Sequence, residues 1–302
     1  RTPASNWGDS MDMVLNDAGV QVPGWKKTLR RFCRSRMSVL GAFVLLLILL
    51  CAVLAPVLAP CDPMEIDMAA FRQPPSAAHP LGTDNVGRDV LSRLLYAGRI
   101  SMGVGIGAVA VYLVIGVVLG AAAGFLGGWA DAVIMRLTDA VMSFPLMVLM
   151  IALVAILGQS VANIVLIIAL VGWPGVARLV RGEVLSLKNR EFVEAARASG
   201  EGTLSIIFRQ LIPNCLPPII VNGTFGVANA ILTEASLSFL GLGVQPPAAS
   251  WGYMLMDAQS ISILTRMPWL WLPPGLVIFV TVLCINFVGD GLRDALDPKL
   301  NR

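Results

Sequence analysis

Side chains able to do chemistry are few in this sequence. A single histidine, His79, stands beside Pro80 and just ahead of Leu81-Gly82-Thr83-Asp84. A metal centre needs several ligands, and His79 has no second one near it in sequence. The five cysteines, Cys33, Cys51, Cys61, Cys215 and Cys284, are odd in number, scattered and free of any C-x-x-C pair. They support neither a disulfide framework nor a zinc site. The sequence contains no G-x-x-x-x-G-K-[ST] phosphate loop, no G-x-S-x-G and no H-E-x-x-H, so nucleotide cradling, hydrolase and zincin chemistry lack their usual residues. One carboxylate, Glu234, lies within a long apolar stretch. Intramembrane proteolysis would need a Ser/His or paired-Asp site there, so this pattern reads as a passage and not as a catalyst. Neither a metal nor a cofactor is expected on this chain.

The elements around those residues are apolar. Of 302 residues, 56% are hydrophobic and 14% charged, against about 25% charged in a soluble domain. Disordered and nucleic-acid-binding chains need far more charge. A bilayer core of about 30 Å takes about 20 apolar residues as helix. Uncharged stretches of that order run over 37–60, 100–130, 140–177, 210–233 and 267–289. The fourth stays apolar past Glu234 to residue 243, and 140–177 is long enough for two spans, dividing at Gly158-Gln159-Ser160. The expected fold is therefore all-α and polytopic, with six transmembrane helices. A soluble core would need six buried helices without amphipathic partners. The first stretch is too long, and begins too late, for a cleavable signal peptide.

Charge sets the expected orientation. Lys26, Lys27, Arg30, Arg31, Arg34 and Arg36 crowd before the first span, and the positive-inside rule puts them in the cytoplasm. Six crossings return the C-terminus there, dividing the Lys and Arg residues 17 inside to 5 outside. The expected organisation is a cytoplasmic tail over 1–36, a first span over 37–60 and an outer loop over 61–99. A five-helix core follows over 100–289, with a cytoplasmic loop at 178–210, and the tail 290–302 is cytoplasmic. Trp25, Leu29 and Phe32 recur at i, i+4, i+7 between cations. This fits either an interfacial helix or a simple basic stop signal. Val90, Leu91, Leu94 and Leu95 form an apolar stripe, expected as an amphipathic helix that meets a partner or packs on other spans. Gln245-Pro246-Pro247 is expected to break the helix after the fifth span, and Trp251, Trp269 and Trp271 suit a membrane interface.

The loop 178–210 carries charges of both signs. Within it Phe192, Ala195, Ala196 and Ser199 recur at helical spacing, so a partner surface could approach the helix backbone closely. Gly200 stands where a helix end often takes φ > 0. Ile206, Ile207 and Phe208 then open an apolar second helix. From spacing alone this is either a docking plug or an ordinary helical hairpin. Glu194-Ala195-Ala196, three further residues, Gly200, and a stretch ending at Ile212-Pro213 resemble the EAA motif of ABC importer permeases. Gln210 stands where that motif usually has Ile, and Ile212 where Leu is common.

Two more stretches narrow the likeness: His79-Pro80-Leu81-Gly82-Thr83-Asp84 continuing to Ser101, and the segments 235–255 and 289–300. After residue 25 nearly the whole chain resembles the C-type permease subunit of dipeptide, oligopeptide and nickel importers (DppC/OppC-type). Glutathione importers have similar permeases. The resemblance implies a type I ABC importer permease fold in a bacterial inner membrane. It implies pairing with a second permease (DppB/OppB-like) and two ATPase subunits (DppD/DppF-like) that hold ATP and Mg. It further implies delivery of peptide by a periplasmic or lipid-anchored binding protein, with no nucleic acid involved. ATPase coupling would fall to Glu194, Ala195, Ala196, Ser199, Gly200 and Phe192. Glu234 is the candidate for the translocation path, or else for a polar contact with the partner permease. A rival reading, an ion-coupled secondary transporter, needs ionisable groups in the membrane, and only Glu234 qualifies.

Overall fold

The computed structural model describes residues 24–297; the tail 1–23, the side chains of Trp25, Lys26 and Lys27, and residues 298–302 lie outside what is described. The described residues are helical apart from loops and one isolated bridge, Thr83 with Asp89. A basic helix α1 (Gly24–Arg34) leads into α2 (Arg36–Val53), whose N-terminus is capped by Ser35. The long α3 (Val90–Leu126) follows the loop 61–89 and is capped by Asp89. Next come α4 (Gly128–Met142), α5 (Leu146–Leu157) and α6 (Val161–Leu187). The short α7 (Glu191–Ala198) precedes α8 (Ile212–Phe239), α9 (Trp251–Leu255) and α10 (Pro268–Leu296).

Five stretches are long and apolar enough to cross a bilayer: α2, α3, α6, the run Thr203–Phe239, and α10. The sixth expected span departs from the sequence reading. It is not a single straight helix, because α5 has only 12 residues, about 18 Å at 1.5 Å per residue. It is bent by 92° from α4 at Ser143-Phe144-Pro145, where Pro145 disfavours helix in the residue before it. The packing nevertheless requires this pair to cross. Gly107 of α3 faces Val165 of α6, Tyr112 faces Gly172, Gly120 faces Ala177 and Val180, and Gly124 faces Val184. Residue numbers rise together, so α3 and α6 run parallel. The segment between them must travel back along their length before α6 can begin. Asp131 on α4 grips Arg181 near the end of α6, with its two oxygens 2.5 and 2.6 Å from Nε and Nη2. At the other end Asn163 donates to the carbonyl of Leu157.

Close packing of α3 on α6 has a simple cause. Gly116, Gly120 and Gly124 recur every fourth residue and share one face of α3, opposite Val176, Val180 and Val184 on α6. Small residues let helix backbones approach, which is how helices associate where no hydrophobic drive distinguishes protein from lipid.

Other expectations change. Val90 begins α3 itself, so the stripe at 90–95 is the first turns of a 37-residue helix and no separate surface helix exists. The fifth span stops at Phe239, ahead of Gly241 at φ 78°, and not at the proline pair. Trp251 is a core residue, 2% exposed, whose indole donates to the carbonyl of Leu94. It anchors the segment after α8 against α3 and does not sit at an interface. On α1, Leu29 is exposed, whereas Phe32 is half-buried beside Gly291 of α10.

Candidate functional site

At one end of the bundle α7 projects between α6 and α8. Its C-terminus closes in two bonds: Glu201 N–H donates to Ala196 O and Gly200 N–H to Arg197 O, each at 3.0 Å. Gly200 takes φ 80°, so this is the paired closure that glycine favours because it lacks a Cβ. The helix is fastened to its own chain on two sides. Val193 and Ala196 are buried in the core cluster with Ile206, Ile207 and Leu211. The Arg197 guanidinium lies over the Phe125 ring at the end of α3, 5.1 Å from its centre. Nearby, Lys188 donates to Gly124 O at 3.3 Å.

This divides the residues expected to act together. Phe192, Glu194, Ala195, Ser199 and Gly200 are exposed on one prominence. Ala196 is not among them: it faces inward with Val193 and holds the helix down. The apolar second helix opens with Thr203–Ser205 and passes through a π-helical turn, Ile206–Leu211, before α8. Pro213 lacks the N–H that an α-helix would give to Arg209, so the regular ladder cannot run through this turn.

A second feature was missed in sequence. Asn222, Phe225, Asn229 and Thr233 lie along one face of α8 and line a cleft of about 250 Å³ with Tyr112, Met150 and Ile168. No charged side chain of the described residues lines it. Asn222 and Phe225 also line an adjoining cleft of about 390 Å³, reached by Arg293 and Asp297 of the opposite wall. The two spaces therefore share a wall and form one track down α8, mostly apolar and studded with the amides of Asn222 and Asn229. Both Asn222 and Asn229 are exposed on the isolated subunit. Their signal was legible: two asparagines seven residues apart inside an uncharged run. Polar side chains in a membrane are costly against lipid and so face water or protein.

Glu234 lies elsewhere. It is wholly buried within the subunit and lines neither cleft. Ser238 Oγ donates to it at 2.6 Å and Ser101 Oγ at 3.3 Å. Ser101 Oγ in turn accepts from Trp251 N–H at 3.1 Å, and Ser238 Oγ accepts from Val244 N–H at 3.3 Å. The carboxyl group thus joins α3, α8 and the start of α9. In this conformation its side chain meets only its own subunit.

At the opposite end from α7, Asp84 organises the loop before α3. It accepts from the backbone N–H of Val86 and Arg88, and pairs with Arg88 Nε at 2.8 Å and Arg93 Nη1 at 3.3 Å. Asp257 lines the same small charged cleft. Burial, and secondarily the Asp84 carboxylate, raise the Asp257 carboxyl above its ordinary range, against opposing help from Arg93, Asn85 and Arg72.

A polytopic helical bundle with an amide-studded track along one helix and an exposed helix–turn–helix at one end is the architecture of a membrane transport component. The chain belongs to the family of binding-protein-dependent transport system inner membrane components, whose model matches residues 116–302. Residues 24–75 match the N-terminal transmembrane domain of oligopeptide transport permease C. The chain is 44% identical to a putative peptide permease protein of Brucella suis over 273 residues, 90% of each chain. It is also 44% identical to the glutathione transport system permease protein GsiD of Pectobacterium atrosepticum, over 95% of each chain. Among solved structures, a chain of the MetNI methionine ABC transporter in an inward-facing conformation superposes with a TM-score of 0.55 at 18% identity. The match covers 68% of this chain and 96% of that one, and shows a shared type I importer permease fold. The protein is thus a multi-pass inner-membrane permease subunit of the DppC/OppC type.

Proposed function

We propose that this subunit forms half of the translocation path of an ATP-driven importer of di- or oligopeptides. The α8 track is the path wall, and the exposed face of α7 is the seat of an ATPase subunit. Both termini and α7 are cytoplasmic on this reading, supported by the 17 to 5 division of basic residues. ATP and Mg are held by two separate ATPase subunits, a second permease supplies the other half of the path, and a binding protein delivers cargo from outside. Closure of the ATPases moves α7, and the helices fastened to it tilt as rigid bodies to alternate the access of the path.

The observation that carries the cargo reading is the amide-bearing cleft of α8 that no charged side chain of the described residues lines. Asn222 and Asn229 can donate to and accept from peptide bonds, groups present in every peptide whatever its side chains. Relatives named for peptides and for glutathione, itself peptide-like, agree with such a wall. The test is uptake by vesicles carrying the whole complex, with di- and tripeptides, glutathione and nickel compared. The coupling reading is tested with Ala195→Asp and Gly200→Val. The first puts an unpaired charge into the docking face, typically a cost of several kcal/mol. The second strains a φ 80° turn by about 1 to 3 kcal/mol. Uptake should be lost while the permease stays in the membrane and the ATPases dissociate or ignore loaded binding protein. Normal uptake by both variants at normal membrane levels would show that α7 is not the coupling element.

A further inference from the structure

His79, isolated in sequence, is not isolated in space. The loop 61–89 folds back so that Cys61 meets the first turn of α3, where Cys61 N–H donates to Ser92 Oγ at 3.2 Å. Ser92 donates to Asp89 Oδ2 through both its backbone N–H and its hydroxyl, each at 2.7 Å. Asp89 therefore spends one oxygen on the helix cap. The other, Oδ1, is turned to His79 Nδ1 at 3.1 Å. His79 is itself fixed: its N–H donates to Ser76 Oγ, and its carbonyl accepts from the N–H groups of Ser76 and Gly82. The thiol of Cys61, a ring nitrogen of His79 and a carboxylate oxygen of Asp89 all lie within 4.8 Å of one another.

Three donors of three kinds thus converge from three separate stretches of chain, each anchored by at least one hydrogen bond that leaves its donor atom out, while the His79 Nδ1 to Asp89 Oδ1 contact already joins two of them. Tetrahedral zinc holds sulfur at about 2.3 Å and nitrogen or oxygen at about 2.0 to 2.2 Å. Its ligand atoms are therefore only a few ångströms apart, a separation that small side-chain rotations reach from this arrangement. A thiolate and a carboxylate together balance a divalent cation, so the occupied site is neutral. That matters where Asp89 is buried and the other two are half-buried. Sulfur and imidazole donors select zinc-class ions over magnesium or calcium.

We propose that Cys61, His79 and Asp89 bind one zinc-class divalent cation, with the fourth coordination position left open. The ion clasps the returning loop to the N-terminus of α3, at the end of the bundle remote from α7. It is distinct from any metal carried as cargo, since the site lies in neither cleft along α8.

The experiment uses the full-length permease, purified with its partner subunits and freed of metal by chelator. Cys33→Ser and Cys51→Ser in this chain leave Cys61 as its accessible thiol. Zinc ion alone is the probe, with magnesium as control. One equivalent per complex should slow labelling of Cys61 by an impermeant thiol reagent at least tenfold, and chelator should reverse the protection. Cobalt at the same site should give a thiolate-to-metal absorption band, lost in Cys61→Ser. His79→Gln, which can still hydrogen-bond to Asp89, should abolish the protection while the complex remains assembled. Protection by magnesium, protection unchanged in His79→Gln, or absence of both protection and cobalt band would overturn the proposal. The second of these outcomes would mark simple adsorption of the ion to a thiol.

Discussion

Gly120→Ala adds one methyl group to the α3–α6 seam. A Cβ at residue 120 would stand 2.5 Å from the carbonyl oxygen of Ala177 and 2.9 Å from Val180 Cβ, where ordinary contact begins at 3.4 Å. The shortfall against the oxygen is about 0.9 Å. That oxygen belongs to the backbone of α6 and cannot rotate aside, so the helices must separate locally. Overpacking of this kind costs about 1 to 3 kcal/mol. Separation also loosens Gly116 against Val176 and Gly124 against Val184, which share the face. Gly103 supplies the control, because a Cβ there meets nothing within 4 Å. Equilibrium unfolding of the purified subunit, by titrating denaturing into mild detergent and following helical circular dichroism, reads the difference. A loss of about 2 kcal/mol lowers the folded-to-unfolded ratio roughly 30-fold. Gly103→Ala, which gains helix propensity without a clash, should be no less stable than the parent and up to about 1 kcal/mol more so. Equal stability of the two variants would refute the tight seam and, with it, the claim that α3 and α6 are locked in register.

Three further outcomes are expected. Glu234→Ala strips Ser101 and Ser238 of their buried acceptor, at about 1 to 3 kcal/mol per unsatisfied group. It should lower the unfolding midpoint while leaving the ranking of peptides in uptake assays unchanged; a changed ranking would return Glu234 to the path. Asn229→Leu should cut peptide uptake about tenfold, the equivalent of about 1.4 kcal/mol, with assembly intact by co-purification. Full uptake would remove the α8 track from the path. Asp257 binds its proton more tightly folded than unfolded, so it favours the folded state below the ordinary Asp value of about 3.9 and loses that advantage as pH rises through its raised native value. Thermal unfolding of Asp257→Asn across pH should therefore show a flatter decline toward neutrality than the parent protein.

The spans were legible because charge is excluded from them over lengths that a bilayer dictates, and the EAA segment because its small residues and glycine have a local meaning. Gly200 is the clearest case: a helix end followed by glycine implies positive φ without any tertiary knowledge. What depends on long-range pairing was not legible. Ala195 and Ala196 are identical side chains one residue apart, and only the approach of Ile206 and Ile207 decides that one is exposed and the other buried. Trp251 reads as an interfacial tryptophan until Leu94, 157 residues away, offers its indole a carbonyl. Glu234 was noticed for its rarity, but its serine partners come from positions 133 residues before it and 4 after. Residue rarity marks importance without saying whether the role is transport or architecture. His79 shows the same limit, since its neighbours Cys61 and Asp89 are brought near by a loop whose path no periodicity reveals. The asparagines of α8 were within reach, because their heptad spacing is a helical-face signal that a search for charge alone passes over.

The seam between α3 and α6 makes a lever of the molecule. At 37 residues, α3 is about 55 Å long. Its final turns hold α7 through Phe125 and the turn before α7 through Gly124, and its first turns hold Trp251 through Leu94 and Ser101. With α6 zipped alongside, the arm resists bending at its middle. If it pivots there by about 10°, each end swings about 5 Å in opposite directions. A push on the exposed face of α7 would thus be delivered, reversed in sense, to the loops at the far end, with no chain of side-chain rearrangements needed to carry it. Stiffness of the glycine face, more than any one polar contact, would set how much of the stroke arrives.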